Sequence, residues 1–83
     1  MRVAGATRRL GKRHVEQLLD RIEADPEAAL TEALRVVLGC PDASWPEVVA
    51  AAPLADEERR RLLDGDVAAR DALTARLVEQ RTL

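Results

Sequence analysis

The sequence predicts an all-α fold, a compact bundle of about five short helices with no strands. Helix-forming residues dominate the chain, with 15 Ala and 12 Leu among its 83 residues, and both have high helix propensity. No stretch alternates apolar and polar residues with the period of two that marks a half-buried strand. A chain of this length forms one small domain. We place that domain at residues 7–83, after a flexible basic arm at residues 1–6.

The first two helices are expected near residues 8–24 and 26–39, and the sequence leaves two starts open for the first, Thr7 and Gly11. The apolar residues of the first recur at the i, i+3, i+4 and i+7 spacing that gathers side chains on one face. They are Val15, Leu18, Leu19 and Ile22. Asp25 suits the N-cap of the second helix and Pro26 its first position, while Gly39 suits its left-handed end. Because almost no loop separates the two helices, we expect an antiparallel hairpin or a sharp corner.

Three shorter helices are expected to follow, near residues 45–52, 55–64 and 66–81. Two cap arrangements compete at the start of the first of these. Ser44 with Glu47 fits a capping box, whereas Pro46 favours the first helical position. In the next helix, three acids precede three arginines at residues 56–61. Their i,i+3 and i,i+4 spacing predicts ion pairs along a solvated helix face.

Positive charge is concentrated near the beginning of the chain. The protein carries 13 basic and 15 acidic residues, a balance that argues against a cationic nucleic-acid-binding protein as a whole. Residues 1–14 nevertheless contain five cations and no acid. Four of these cations can contact phosphate, namely Arg8, Arg9, Lys12 and Arg13. A small nucleic-acid-associated regulatory protein is therefore the alternative function, and a basic leader that keeps the domain in solution is the competing interpretation.

No pattern typical of an enzyme is found. His14 is the only histidine and Cys40 the only cysteine, so a Cys/His zinc cluster and an internal disulfide are excluded. Cys40 follows a helix end whose dipole disfavours a thiolate, and we expect a small buried apolar residue there. The four glycines are scattered, which leaves no phosphate-binding loop. We predict a non-enzymatic protein without metal or cofactor, and without a membrane span because no run of 18 apolar residues occurs.

Trp45 is the only aromatic residue. A tryptophan at a loop-to-helix junction either fills the core or anchors an interface, and the sequence leaves both placements open. We predict a small protein-protein interaction or adaptor module of a bacterial cytoplasm, which binds a protein partner or forms a homodimer through apolar helix faces. The residues assigned to this contact are Trp45, Val48, Val49, Leu73 and Leu77.

Overall fold

The structure, a computed structural model, describes residues 7–83 and confirms the all-α prediction over that range. Its five helices are α1 (Lys12–Arg21), α2 (Pro26–Leu38), α3 (Trp45–Ala51), α4 (Asp56–Leu63) and α5 (Val67–Gln80). No strand is present between residues 7 and 83. None of these helices has the length and apolar character needed to cross a membrane. The arm expected at residues 1–6 lies outside the described residues.

The junction between α1 and α2 forms as the sequence predicts. The Asp25 side chain accepts a hydrogen bond from the backbone N–H of Ala28 at 3.2 Å, and Pro26 begins α2. Gly39 ends α2 in the left-handed region, with φ of 69°, where a residue without a Cβ meets no steric penalty. The two helices pack against each other and are joined by a salt bridge of 2.6 Å between Arg21 and Glu32.

Of the two starts left open for α1, the later one forms, with Gly11 as the N-cap and Lys12 as the first helical residue. Residues 7–11 instead lie against the ends of two other helices. The Arg8 N–H donates to the carbonyl of Val37 at 2.7 Å. The hydroxyl of Thr82 donates to that of Thr7 at 2.9 Å. Because the backbone N–H of Arg8 has a hydrogen-bond partner in α2, it does not need a helical turn to supply one.

One hydrophobic core holds the helices together. Its buried apolar residues are Leu10, Leu18, Ala29, Leu30, Ala33, Leu34, Val37, Trp45, Val48, Val49, Ala52, Leu54, Leu62, Ala69, Leu73 and Leu77. The expectation that Leu19 belongs to this core is wrong, since its exposed fraction is 50%. Neighbouring residues in a helix point about 100° apart, and α1 packs chiefly against α2. Leu18 lies on the face of α1 that packs against α2, so Leu19 is exposed to solvent.

Both cap residues at the start of α3 are used together. Ser44 is the N-cap, Trp45 the first helical residue and Pro46 the second, so the proline fits without displacing the serine. The Ser44 N–H donates to Oε1 of Glu47 at 2.7 Å. This hydrogen bond holds the pKa of the Glu47 carboxyl below its ordinary value, because it stabilises the charged form.

The acid and arginine run of α4 forms the predicted ion pairs. Arg59 lies 2.7 Å from Asp56. Glu57 is shared by two arginines, with Arg60 at 2.7 Å and Arg61 at 3.2 Å. These arginines also hold the pKa of Glu57 below its ordinary value, Arg60 contributing most. Exposed pairs of this kind contribute little to stability, so the run is a solvated helix face.

Candidate binding groove

The five residues assigned to partner contact all lie in the core. Trp45 is 8% exposed, and Val48, Val49, Leu73 and Leu77 are fully buried. The two valines are adjacent, and both are buried because α3 packs between α2 on one side and α4 on the other. In this conformation these side chains hold the helices together. The interaction and its assignment to these residues both remain predictions.

A concave surface lies between α1, α2 and the segment that precedes α1. We call it the α1/α2 groove, and its volume is about 500 Å³. It is lined by Arg8, His14, Gln17, Leu18, Ala29, Glu32, Ala33, Arg35, Val36, Gly39 and Pro41.

The floor of the α1/α2 groove is apolar. Ala29, Ala33 and Val36 lie on one face of α2 at i, i+4 and i+7, and Leu18 of α1 borders them. Alanine side chains fill little space, so a hollow remains where larger residues would close the gap between the helices. The groove therefore offers a partner a surface of small apolar side chains.

Two arginines stand at the end of the groove where α2 terminates, and we call Arg8 and Arg35 the cationic end. The Arg8 guanidinium lies against Gly39, where a Cβ on the glycine would come within 3.5 Å of its Cζ. The Arg35 Nε donates to the carbonyl of Ala43 at 2.6 Å. Neither arginine forms a salt bridge with any carboxylate of residues 7–83.

The rest of the rim adds further positive potential and little negative. The one acid on the groove, Glu32, is paired with Arg21. His14 is half-buried, and its Nδ1 accepts the Gly11 N–H at 3.3 Å. The first turn of α1 contains no acid, so the positive end of its helix dipole is not compensated there. The groove is consequently cationic near the end of α2 and close to neutral near Glu32.

Of the four residues predicted to contact phosphate, only Arg8 lines the groove. Arg9, Lys12 and Arg13 are exposed around the start of α1. Within the part of the chain that the structure describes, none of these three forms a salt bridge. The structure thus separates the expected basic cluster into one groove residue and three surface cations.

Sequence reasoning missed Arg35 altogether. Its position on α2 gives no sign of function, because an arginine one turn before a C-terminal glycine is an ordinary complement to the helix dipole. His14, expected on the solvated surface, contributes to the groove wall. Cys40 is half-buried, with its Sγ 3.6 Å from the carbonyl of Leu38, and it does not line the groove. Between residues 7 and 83, no cluster of three or more metal-binding side chains is present.

Comparisons with known proteins do not assign this chain to a family. No family model matches the sequence, and no curated protein or solved structure shows significant similarity to it. The features that bear on function are therefore those of the groove.

Proposed function

We propose that this protein is a small non-enzymatic interaction module that binds a segment of a partner protein in the α1/α2 groove. The observation that carries the proposal is the groove's combination of an apolar floor with a cationic end. Its volume falls within the range of about 300 to 1,000 Å³ that is usual for binding pockets. A few polar groups beside an apolar surface are also the usual composition of such sites.

The dimensions of the groove suit a short peptide. Ala29 and Gly39 bound it along α2, and at 1.5 Å per residue they lie about 15 Å apart. That length corresponds to about three turns of a bound helix or about five extended residues. An amphipathic helix seated in a groove is a common recognition mode, and the alanines of the floor permit close approach of its backbone.

The lining of the groove supports binding rather than catalysis. No Ser, Thr or Cys is among the lining residues, so no side-chain hydroxyl or thiol nucleophile faces a bound molecule. His14 is the one lining residue of a type often used in acid–base catalysis, and its Nδ1 accepts a hydrogen bond from the backbone N–H of Gly11. A catalytic site needs several groups that converge on one reacting atom.

The partner is a different protein or a second copy of the chain, and we include a cytosolic location in the proposal. A single cysteine is consistent with a reducing compartment. Sedimentation at rising protein concentration separates the two partners. A groove-dependent dimer would identify the second copy, and a monomer at every concentration would leave a different protein as the partner.

The test is selection of binders from a random library of displayed peptides, followed by affinity measurement. Gln17, an exposed groove residue, is replaced in Gln17→Trp so that an indole fills part of the groove. The matched control is Gln80→Trp, at an exposed position at the end of α5. We expect the selected peptides to bind Gln17→Trp at least about tenfold more weakly, a loss of about 1.4 kcal/mol, and Gln80→Trp unchanged. Peptides that bind both variants equally would contradict the proposal.

Nucleic-acid binding is a second candidate, favoured by the exposure of Arg9, Lys12 and Arg13 without carboxylate partners in the described chain. These cations would contribute about three phosphate contacts and a modest salt dependence. Trp45 is buried, so the chain's one aromatic ring does not stack on a base. Retention on single- and double-stranded DNA at rising salt tests this candidate. Retention that is unchanged when all three cations become Gln would overturn it.

A further inference from the structure

We infer that the groove selects an acidic and apolar peptide segment, with a carboxylate between Arg8 and Arg35 and an apolar side chain against Val36, the half-buried apolar residue of α2 in the groove. This inference rests on the proposed function, because it specifies the chemistry of the partner that the α1/α2 groove binds.

The first support is that the two arginines of the cationic end have no carboxylate partner. Five arginines of residues 7–83 have a carboxylate within 4 Å, namely Arg21, Arg59, Arg60, Arg61 and Arg76. Six have none, and of these six only Arg8 and Arg35 line the α1/α2 groove. Glu32, the one acid on the groove, is engaged by Arg21. The cationic end is thus the part of the groove whose charge the described chain does not match, and an anionic group complements it.

The second support is that both arginines already contact neighbouring backbone. The backbone of Arg8 is bonded to Val37, and its guanidinium lies against Gly39. The Arg35 Nε donates to the carbonyl of Ala43, and no hydrogen bond from its Nη atoms is made to residues 7–83. Guanidinium groups bind carboxylates through two parallel hydrogen bonds. Because the Arg35 side chain already makes one hydrogen bond, less of its conformational entropy is lost on binding.

The groove also sets the order of groups along the peptide. Arg35 and Val36 are neighbours on α2 and both line the groove. A helical peptide would therefore place its acid and its apolar anchor within about one turn of each other. Near Glu32 the groove is close to neutral, so a second acid at that end has no cation available. We expect one acidic position, at the end of the peptide that lies over Gly39.

The experiment uses peptides of about 12 residues, selected from the random library against the full chain. Each peptide is measured against wild type, Arg8→Gln and the neighbouring control Arg9→Gln, which changes the same charge at a position outside the groove. Circular dichroism confirms that each variant is folded. We expect peptides with one acid and at least one large apolar residue to predominate. Arg8→Gln should weaken the binding of these peptides by about three- to tenfold, and Arg9→Gln should have little effect on it.

A charge exchange provides the second readout. Replacing the peptide's acid by Lys should abolish binding to wild type, and Arg8→Glu should restore part of the affinity for that Lys peptide. Raising NaCl from about 50 to about 300 mM should weaken binding of the acidic peptide to wild type more than its binding to Arg8→Gln.

The outcomes separate the two proposals. Groove peptides that are sensitive to Gln17→Trp but carry no acid, or that bind Arg8→Gln as tightly as wild type, would overturn this inference and leave the proposed function standing. A library that yields no peptide sensitive to Gln17→Trp would overturn both.

Discussion

The backbone N–H of Leu10 donates to the carbonyl of Arg81 at 2.6 Å. Arg81 ends α5 in the left-handed region, with φ of 61°, a conformation that costs a non-glycine residue about 1 kcal/mol. The bond to Leu10 turns this terminal carbonyl toward the segment before α1 and offsets part of that cost. The same segment carries Arg8, so the contact with α5 also helps to position the cationic end of the groove.

The burial of Leu10 predicts a large loss of stability on truncation. Its side chain is 2% exposed, and Leu10→Ala would leave a cavity where the segment before α1 meets the core. We expect the free energy of unfolding to fall by about 2 to 5 kcal/mol, measured by urea denaturation followed by circular dichroism. Leu19→Ala is the matched control and should cost less than about 1 kcal/mol, because Leu19 is half exposed. Equal losses for the two variants would show that Leu10 does not belong to the core.

Trp45 provides a direct fluorescent test of its burial. Since it is the only aromatic residue, all tryptophan emission comes from one site. We expect the folded protein to emit at shorter wavelength than the urea-unfolded protein and to resist quenching by acrylamide, because the ring is removed from water. Native emission at the wavelength of the unfolded chain would place the ring on the surface.

Gly39 should tolerate asparagine better than alanine. Its positive φ disfavours a Cβ, although the space would accept one, since its nearest neighbour would be the Arg8 guanidinium at an ordinary contact distance of 3.5 Å. We expect Gly39→Ala to destabilise the fold by about 1 kcal/mol or more. Gly39→Asn should cost less, because asparagine adopts the left-handed conformation more readily. Thermal denaturation of both variants tests this order, and an alanine variant at least as stable as the asparagine variant would contradict it.

The Ser44 to Glu47 contact predicts a pH-dependent contribution to stability. The pKa of Glu47 is lowered in the folded state, so its stabilising effect is present above the ordinary glutamate pKa. The effect disappears as the pH falls through the folded-state pKa. Glu47→Gln keeps a side-chain oxygen acceptor but does not ionise. We expect wild type to be the more stable of the two at about pH 7 and the difference to shrink by about pH 3. Chemical denaturation at both pH values measures the difference in the free energy of unfolding. A difference that does not change with pH would show that the charge of Glu47 does not contribute to stability.

Local rules predicted the helices well where neighbouring residues decide the structure. Asp25 and Pro26 define the start of α2, and Gly39 its end, through interactions within a few residues. The i,i+3 and i,i+4 pairs of residues 56–61 follow from helix geometry alone. These signals are short-range, so the sequence displays them directly.

The errors concern contacts between residues far apart in the chain. Nothing near Arg8 and Leu10 in the sequence shows that Val37 and Arg81 accept their N–H groups, so local signals do not decide between the two starts of α1. Periodicity puts Leu19 on the apolar face of α1 but does not reveal how many neighbours that helix has. Arg35 joins the groove only through the packing of α1 and the preceding segment on α2. The apolar faces were identified, but which surface stays open depends on how they assemble.

The contact between Thr7 and Thr82 joins side chains 75 positions apart, so the two ends of the described chain lie side by side. A short glycine-rich linker from residue 82 to residue 7 could therefore join them with little loop-closure entropy. New termini could then be opened in the exposed loop at Pro41 and Asp42. Such a circular permutant would keep every helix intact and would change the order in which the helices are synthesised.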